Sequence, residues 1–114
     1  MHELGIVFHM IKTVERIAEE NVLTSVSSVT LELGEASGVV PHELTSCWNW
    51  AVAQTEVLKG AELRIETIPA VTLCESCNRT YPTVPQGRVC PLCGSEETVL
   101  LQGNEINLKE IEAC

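Results

Sequence analysis

The sequence predicts an α+β fold, with two helices packed on a small three-stranded sheet and a cysteine-rich module inserted before the last strand. Three observations predict it. Two stretches carry apolar residues at helical steps of three and four, and three stretches alternate apolar and polar residues with period two. Between residues 70 and 103 both periodicities fade, while prolines, glycines and four of the six cysteines crowd in.

The first helix spans residues 4 to 20. Leu4, Val7, Ile11, Val14 and Ala18 form one stripe, widened by Met10 and Ile17, with Glu15, Arg16, Glu19 and Glu20 on the solvated side. Asn21 is its stop signal. Val26 to Gly34 reads as a strand, with Val29, Leu31 and Leu33 on one face and Thr30 and Glu32 on the other. Gly34 and Gly38 mark a turn. The second helix starts near Pro41, where a missing N–H costs nothing, with Glu43 adding favourable charge. Leu44, Cys47, Trp48, Ala51 and Thr55 share its buried face, and Gly60 is the latest point at which it ends. Residues 61 to 68 are the clearest strand, with Leu63, Ile65 and Thr67 opposite Glu62, Arg64 and Glu66, and Pro69 ends it. Asn104 to Ala113 reads as a last strand returning to the first sheet. The expected division is therefore 1–69 with 104–114 as one α+β domain and 70–103 as the inserted module.

Composition narrows the function. With 114 residues the chain suits one compact domain, or one domain with a small insertion. Sixteen acidic against seven basic residues give a net charge of -9, which argues against a nucleic-acid partner, because phosphate binding needs a basic face. No apolar run approaches the roughly 18 residues that span a bilayer. No basic start, apolar stretch and cleavage site opens the chain, so the expectation is a cytoplasmic protein without membrane contact. In a reducing compartment, spaced cysteines bind metal more often than they form disulfides.

Cys74-Glu75-Ser76-Cys77 and Cys90-Pro91-Leu92-Cys93 are two C-x-x-C pairs with 12 residues between them. Each pair forms a knuckle that aims two thiolates at one point, and two knuckles complete the tetrahedral four-sulfur shell that Zn²⁺ prefers. Asn78 and Gly94 follow the pairs at the position where a knuckle needs positive φ. The insertion is thus read as a zinc-ribbon module. A shell of four sulfurs has no open position, so its zinc is structural, and metal binding supplies most of the module's folding free energy. Arg79 and Arg88 are its only cations between Cys74 and Cys93, which speaks against a ribbon that binds nucleic acid.

The N-terminal Met1-His2-Glu3 carries a second metal signal. A free α-amine, the amide nitrogen of residue 2 and the His2 imidazole close adjacent chelate rings around one ion, and the Glu3 amide or carboxylate fills a fourth position. Nitrogen-rich tetragonal geometry suits Ni²⁺ or Cu²⁺. Taken together with Leu4 and the helix behind it, this start, Leu33-Gly34-Glu35, Ser37-Gly38-Val39-Val40-Pro41, Lys59-Gly60-Ala61-Glu62-Leu63 and the two cysteine pairs resemble, in order and over essentially the whole chain, the HypA/HybF family of nickel metallochaperones of [NiFe]-hydrogenase maturation.

The resemblance implies a nickel carrier and not an enzyme. It implies Ni²⁺ held by Met1, His2 and Glu3, and structural Zn²⁺ held by Cys74, Cys77, Cys90 and Cys93. It implies work with a nickel-binding GTPase, delivery to the hydrogenase large subunit, and in some bacteria service to urease and its accessory proteins. A monomer or a homodimer is compatible with this. No His stands near the second cysteine pair, so the zinc module offers no extra nickel ligand. The alternative is a zinc-stabilised adaptor that binds proteins without transferring nickel.

The remaining candidates read more plainly. His9 sits at the edge of the first helix's stripe, roughly 10 Å from His2 along the helix axis. His42 is a solvated residue of the second helix's first turn. Cys47 reads as a small core residue, and Cys114 as a mobile terminal one. Trp50 lies off the apolar stripe of its helix, as a packing or a docking residue. Glu3, Glu35 and Glu43 are candidates for an acidic contact surface. No Ser-His-Asp set, phosphate-binding Gly loop or catalytic carboxylate pair is present, so any GTP hydrolysis belongs to a partner.

Overall fold

A computed structural model describes residues 3–114. Their elements run α1 (Glu3–Glu20), β1 (Val26–Gly34), α2 (Pro41–Val52), β2 (Glu62–Ile68), β3 (Val71–Cys74), β4 (Arg79–Pro82), α3 (Thr83–Gln86), β5 (Thr98–Gln102) and β6 (Ile106–Ala113). The strands form two three-stranded sheets, ordered β2-β1-β6 and β4-β3-β5. The chain divides into two compact units, one of Met1–Leu31, Val39–Glu66 and Asn107–Cys114, the other of Glu32–Gly38 and Thr67–Ile106.

The first unit is built on aliphatic burial. Helix α1 buries Val7, Met10, Ile11, Val14 and Ala18. Leu4, expected on that stripe, is instead partly exposed, as is Phe8 one turn further on. Helix α2 packs beside α1 and buries Leu44, Trp48, Ala51 and Val52. Trp48 is fully buried, and its indole Nε1–H donates to the Ala61 carbonyl at 2.9 Å, so the largest core residue brings no orphaned polar atom with it. Thr55 falls beyond the helix, its hydroxyl bonded to the Val52 carbonyl at 3.2 Å.

Helix α1 closes where Asn21 indicated. The Asn21 side-chain amide donates to Ile17 O at 2.8 Å. Leu23 N–H then reaches Ala18 O at 2.8 Å and Val22 N–H reaches Glu19 O at 3.3 Å, the paired bonds of a Schellman cap. That cap puts Val22 at φ 54, a left-handed conformation that a β-branched residue adopts only at a cost.

Strand β1 lies at the centre of its sheet and is covered on most positions, Ser28 and Thr30 included. It runs parallel to β2, with Val26 N–H on Val57 O and Glu35 N–H on Ile68 O, so α2 is the crossover of a β-α-β unit. It runs antiparallel to β6, with Cys114 N–H on Ser25 O and Gly34 N–H on Glu105 O. Ser28 Oγ donates to Glu112 Oε1 at 2.6 Å, and Arg64 Nη1 reaches the same oxygen at 2.9 Å. The Ser28 bond first, and the Arg64 charge second, hold the Glu112 carboxyl below the usual carboxylate range.

The second unit contains a sheet and a helical turn that the sequence reading did not separate out. Strand β3 pairs antiparallel with β4, Cys74 opposite Arg79, and with β5, Cys74 opposite Thr98. These strands have four or five residues, too few for alternation to stand out. Its glycines mark tight contacts. A Cβ on Gly34 would fall inside the Gly103 carbonyl, and one on Gly103 inside the Ala70 backbone. Glu35, though exposed, accepts the Ala70 N–H at 2.9 Å through Oε1 and so ties this region together.

Two outcomes check this account. Val22→Gly removes the left-handed strain from an 86% exposed position and raises stability by about 1 kcal/mol, read as a higher denaturation midpoint at unchanged slope. Glu112→Gln lowers stability at neutral pH. A carboxyl depressed in the folded state contributes stability above its unfolded pKa and loses it as pH falls through the folded value. The gap between variant and parent therefore narrows in acid, measured by urea unfolding at pH 7 and pH 3.

Candidate metal centre

The four expected zinc ligands come together. The Sγ atoms of Cys74, Cys77, Cys90 and Cys93 all lie within 4.8 Å of one another. Cys74 and Cys93 are 3.5 Å apart and Cys77 and Cys90 3.7 Å apart. Four sulfurs at about 2.3 Å from one Zn²⁺ in a tetrahedron stand about 3.8 Å from each other, so the spacing fits that ion.

The two knuckles are built alike. Cys74 closes β3, and Asn78 N–H returns to its carbonyl at 2.8 Å, with Asn78 at φ 61. In the second, Gly94 N–H returns to the Cys90 carbonyl at 2.9 Å, with Gly94 at φ 75. Both left-handed positions are those the sequence marked. The Ser76 and Ser95 hydroxyls, 2.7 Å apart, link the two knuckles, and Cys90 N–H on Ser95 O at 2.9 Å closes the second on itself. Neither serine was legible as a site residue, because a hydroxyl beside a cysteine pair has no distinguishing spacing.

Local fields prepare the sulfurs unequally. Burial opposes ionisation of Cys90, yet the N–H groups of Cys93 and Leu92 with the nearby thiols bring it down to about 7. Cys74 is lowered chiefly by the Cys77 N–H. Cys77 is raised, first by burial and then by its neighbour Cys74. At Cys93 the Ser95 N–H favours the thiolate, but Cys74, burial and the other two thiols outweigh it and push the group up to about 12. Four close sulfurs cannot all carry charge unless a cation lies among them, which is the electrostatic case for a divalent metal here.

The site also stands in for a core. Apart from Leu33 and Ala70, the buried apolar side chains of this unit form one cluster of Cys74, Tyr81 and Cys90, with Cys77 packed against it. Three of those four residues are sulfur ligands. Tyr81 adds a hydroxyl bond to the Gly87 carbonyl at 2.9 Å, which fastens the turn after α3.

The N-terminal candidates are placed differently. Met1 and His2 lie outside the described residues. Glu3 opens α1, and its Oε2 accepts the Val40 N–H at 3.3 Å, immediately before α2. His9 and His42 are exposed. Cys47, expected in the core, is only partly buried and lines a surface groove, because the buried face of α2 is set by Leu44, Trp48 and Ala51. Cys114 is exposed but not loose, since its backbone bonds both Thr24 and Ser25. Among the described residues no helix is long and apolar enough to cross a membrane.

Helix pair, parallel crossover and closed four-sulfur cluster together define a small α+β metal-binding protein. A family model described as "Hydrogenase/urease nickel incorporation, metallochaperone, hypA" matches residues 1–113, and the chain belongs to this HypA family. It is 33% identical over 112 residues to a hydrogenase maturation factor HypA of Albidiferax ferrireducens, covering 98% of both chains. It is 37% identical over 113 residues to the one of Streptomyces avermitilis, covering 97% of this chain and 86% of that one. The solution structure of the Ni metallochaperone HypA from Helicobacter pylori superposes with a TM-score of 0.71 at 27% identity, over 99% of this chain and 97% of the other. Membership places the chain among hydrogenase maturation metallochaperones.

Replacing Cys90 with Ser leaves three sulfurs, and abolishes tight zinc binding in competition with a chromophoric chelator. In the parent, zinc uptake at neutral pH releases protons, and affinity falls as pH falls, because the raised Cys77 and Cys93 thiols must ionise before they ligate.

Proposed function

We propose that this protein carries Ni²⁺ at its N-terminus and hands it to the [NiFe]-hydrogenase large subunit together with a nickel-binding GTPase. The observation that carries the reading is the family match that runs from residue 1 and so takes in Met1-His2-Glu3. In this reading the Met1 α-amine, the His2 amide and imidazole, and Glu3 hold the ion. Few covalent constraints surround a chain terminus, so a receiving protein reaches the ion by exchanging ligands one at a time. The Glu3 carboxylate bond to Val40 N–H supports a task for this residue at the helix start, and leaves its amide as the more natural nickel donor.

Cys74, Cys77, Cys90 and Cys93 hold Zn²⁺ in a structural role, with no position open to substrate. Residues 1–69 with 104–114 then form the nickel-binding domain and residues 70–103 the zinc-binding module. Urease and its accessory proteins are a second client by the same chemistry. The protein works in the cytoplasm, supplies no catalytic group of its own, and leaves GTP hydrolysis to its partner.

Calorimetric titration with Ni²⁺ tests the site. The protein with a free Met1 amine binds one ion, while His2→Ala and a form extended before Met1 each weaken binding by about 100-fold or more, beyond what loss of an outer-sphere contact costs. Equal binding by all three forms overturns the assignment and leaves a zinc-stabilised adaptor. Binding also weakens in acid as the amine and imidazole take up protons.

A further inference from the structure

Within the first unit, an exposed surface lies between the two long helices, and none of the four clustered cysteines of the second unit lines it. Leu4 on α1 and Ser46, Cys47 and Trp50 on α2 line an open groove of about 330 Å³. Trp50 is 58% exposed, and Phe8 and Leu4, one turn apart on α1, are 45% and 38% exposed. The two tryptophans, two positions apart, thus have opposite roles, since Trp48 is sealed in the core. Glu43, Ser46, Cys47 and Trp50 stand at helical steps of three and four, a second stripe of α2 turned away from its buried one. An exposed Trp beside further apolar side chains is the composition that anchors protein interfaces.

Charge and backbone chemistry specify the occupant. At the end of the groove where α2 begins, Glu43 lies one turn before Cys47, and Glu3 adjoins Leu4 with its carboxylate at Val40 N–H. No Lys or Arg precedes Lys12, and none lies between Arg16 and Lys59. A strand laid between two helices would bring unpaired N–H and C=O groups against apolar walls, whereas a helix satisfies its own backbone. We infer that the groove receives an amphipathic helix of a partner protein, with apolar side chains one turn apart over Leu4, Cys47 and Trp50. Lys or Arg at one end of that helix meets Glu3 and Glu43. A second copy of this chain suits the groove poorly, because each copy carries a net charge of -9 and would face acid with acid.

The test uses the full zinc-loaded chain without nickel, so its outcome is separate from that of the nickel titration. The probes are two synthetic helical peptides with Leu at positions i and i+4, one flanked by Lys and one by Glu. The Lys peptide is expected to blue-shift the Trp50 emission and to bind about tenfold more tightly than the Glu peptide, with the advantage shrinking in salt. Glu43→Lys reverses the preference. Trp50→Ala abolishes binding, while the buried Trp48 emission and the helical circular dichroism stay unchanged and report an intact fold. Equal binding of both peptides, or binding indifferent to both substitutions, overturns the proposal. So does a Trp50 shift that follows protein concentration alone, which marks self-association in its place.

Discussion

Closure of four sulfurs around one point is the constraint on which the second unit depends. Its buried apolar side chains are the Cys74, Tyr81 and Cys90 cluster with Leu33 and Ala70, far too little to offset the entropy of ordering some 47 residues at roughly 1–2 kcal/mol of backbone cost each. Short strands, a four-residue helix and exposed apolar side chains such as Leu92 and Leu101 surround that cluster. A metal held by these four sulfurs would supply the free energy that a hydrophobic core supplies elsewhere. The first unit follows the opposite design, with Trp48 and a set of aliphatic side chains buried and its polar groups paired.

The geometry of the knuckles shows how the chain makes this closure possible. Asn78 and Gly94 take the left-handed turns that point paired thiolates inward, and backbone N–H groups of Cys77, Leu92 and Cys93 stabilise sulfur charge before any side chain does. The serine pair then holds one knuckle to the other, and the Cys90–Ser95 bond closes the second on itself. None of these features offers an open coordination position. They suit an ion that stays, whereas an ion that must leave is better held at a chain end, where ligands are few and accessible.

The long elements were legible in the sequence because their periodicity is sustained. Helix α1, strand β1, the start of α2 at Pro41 and the four clustered cysteines fall where residue pattern and spacing put them. The rest needed the fold. Strands β3 to β5 are shorter than the window in which alternation declares itself. Leu4 matches the buried stripe of α1 by spacing, yet lies toward a groove, since whether a position at the edge of a stripe is covered depends on what packs beside it. Cys47 failed as a core residue for the same reason. Glu35 is exposed, yet it also accepts the Ala70 N–H, a contact 35 residues away that no local pattern announces. Val22 is the clearest local conflict, a β-branched residue in a left-handed cap where Gly or Asn is expected.

Hydrogen exchange before and after zinc removal tests the central claim most directly, because it reads each unit separately. With zinc bound, the amides of Glu75, Asn78, Cys90 and Gly94, which donate within the second unit, exchange slowly. On chelation they are predicted to lose protection by orders of magnitude, while the amides of α1 and α2 keep theirs. Retained protection around the cysteines without metal would contradict the account, since something other than sulfur closure would then hold that unit together.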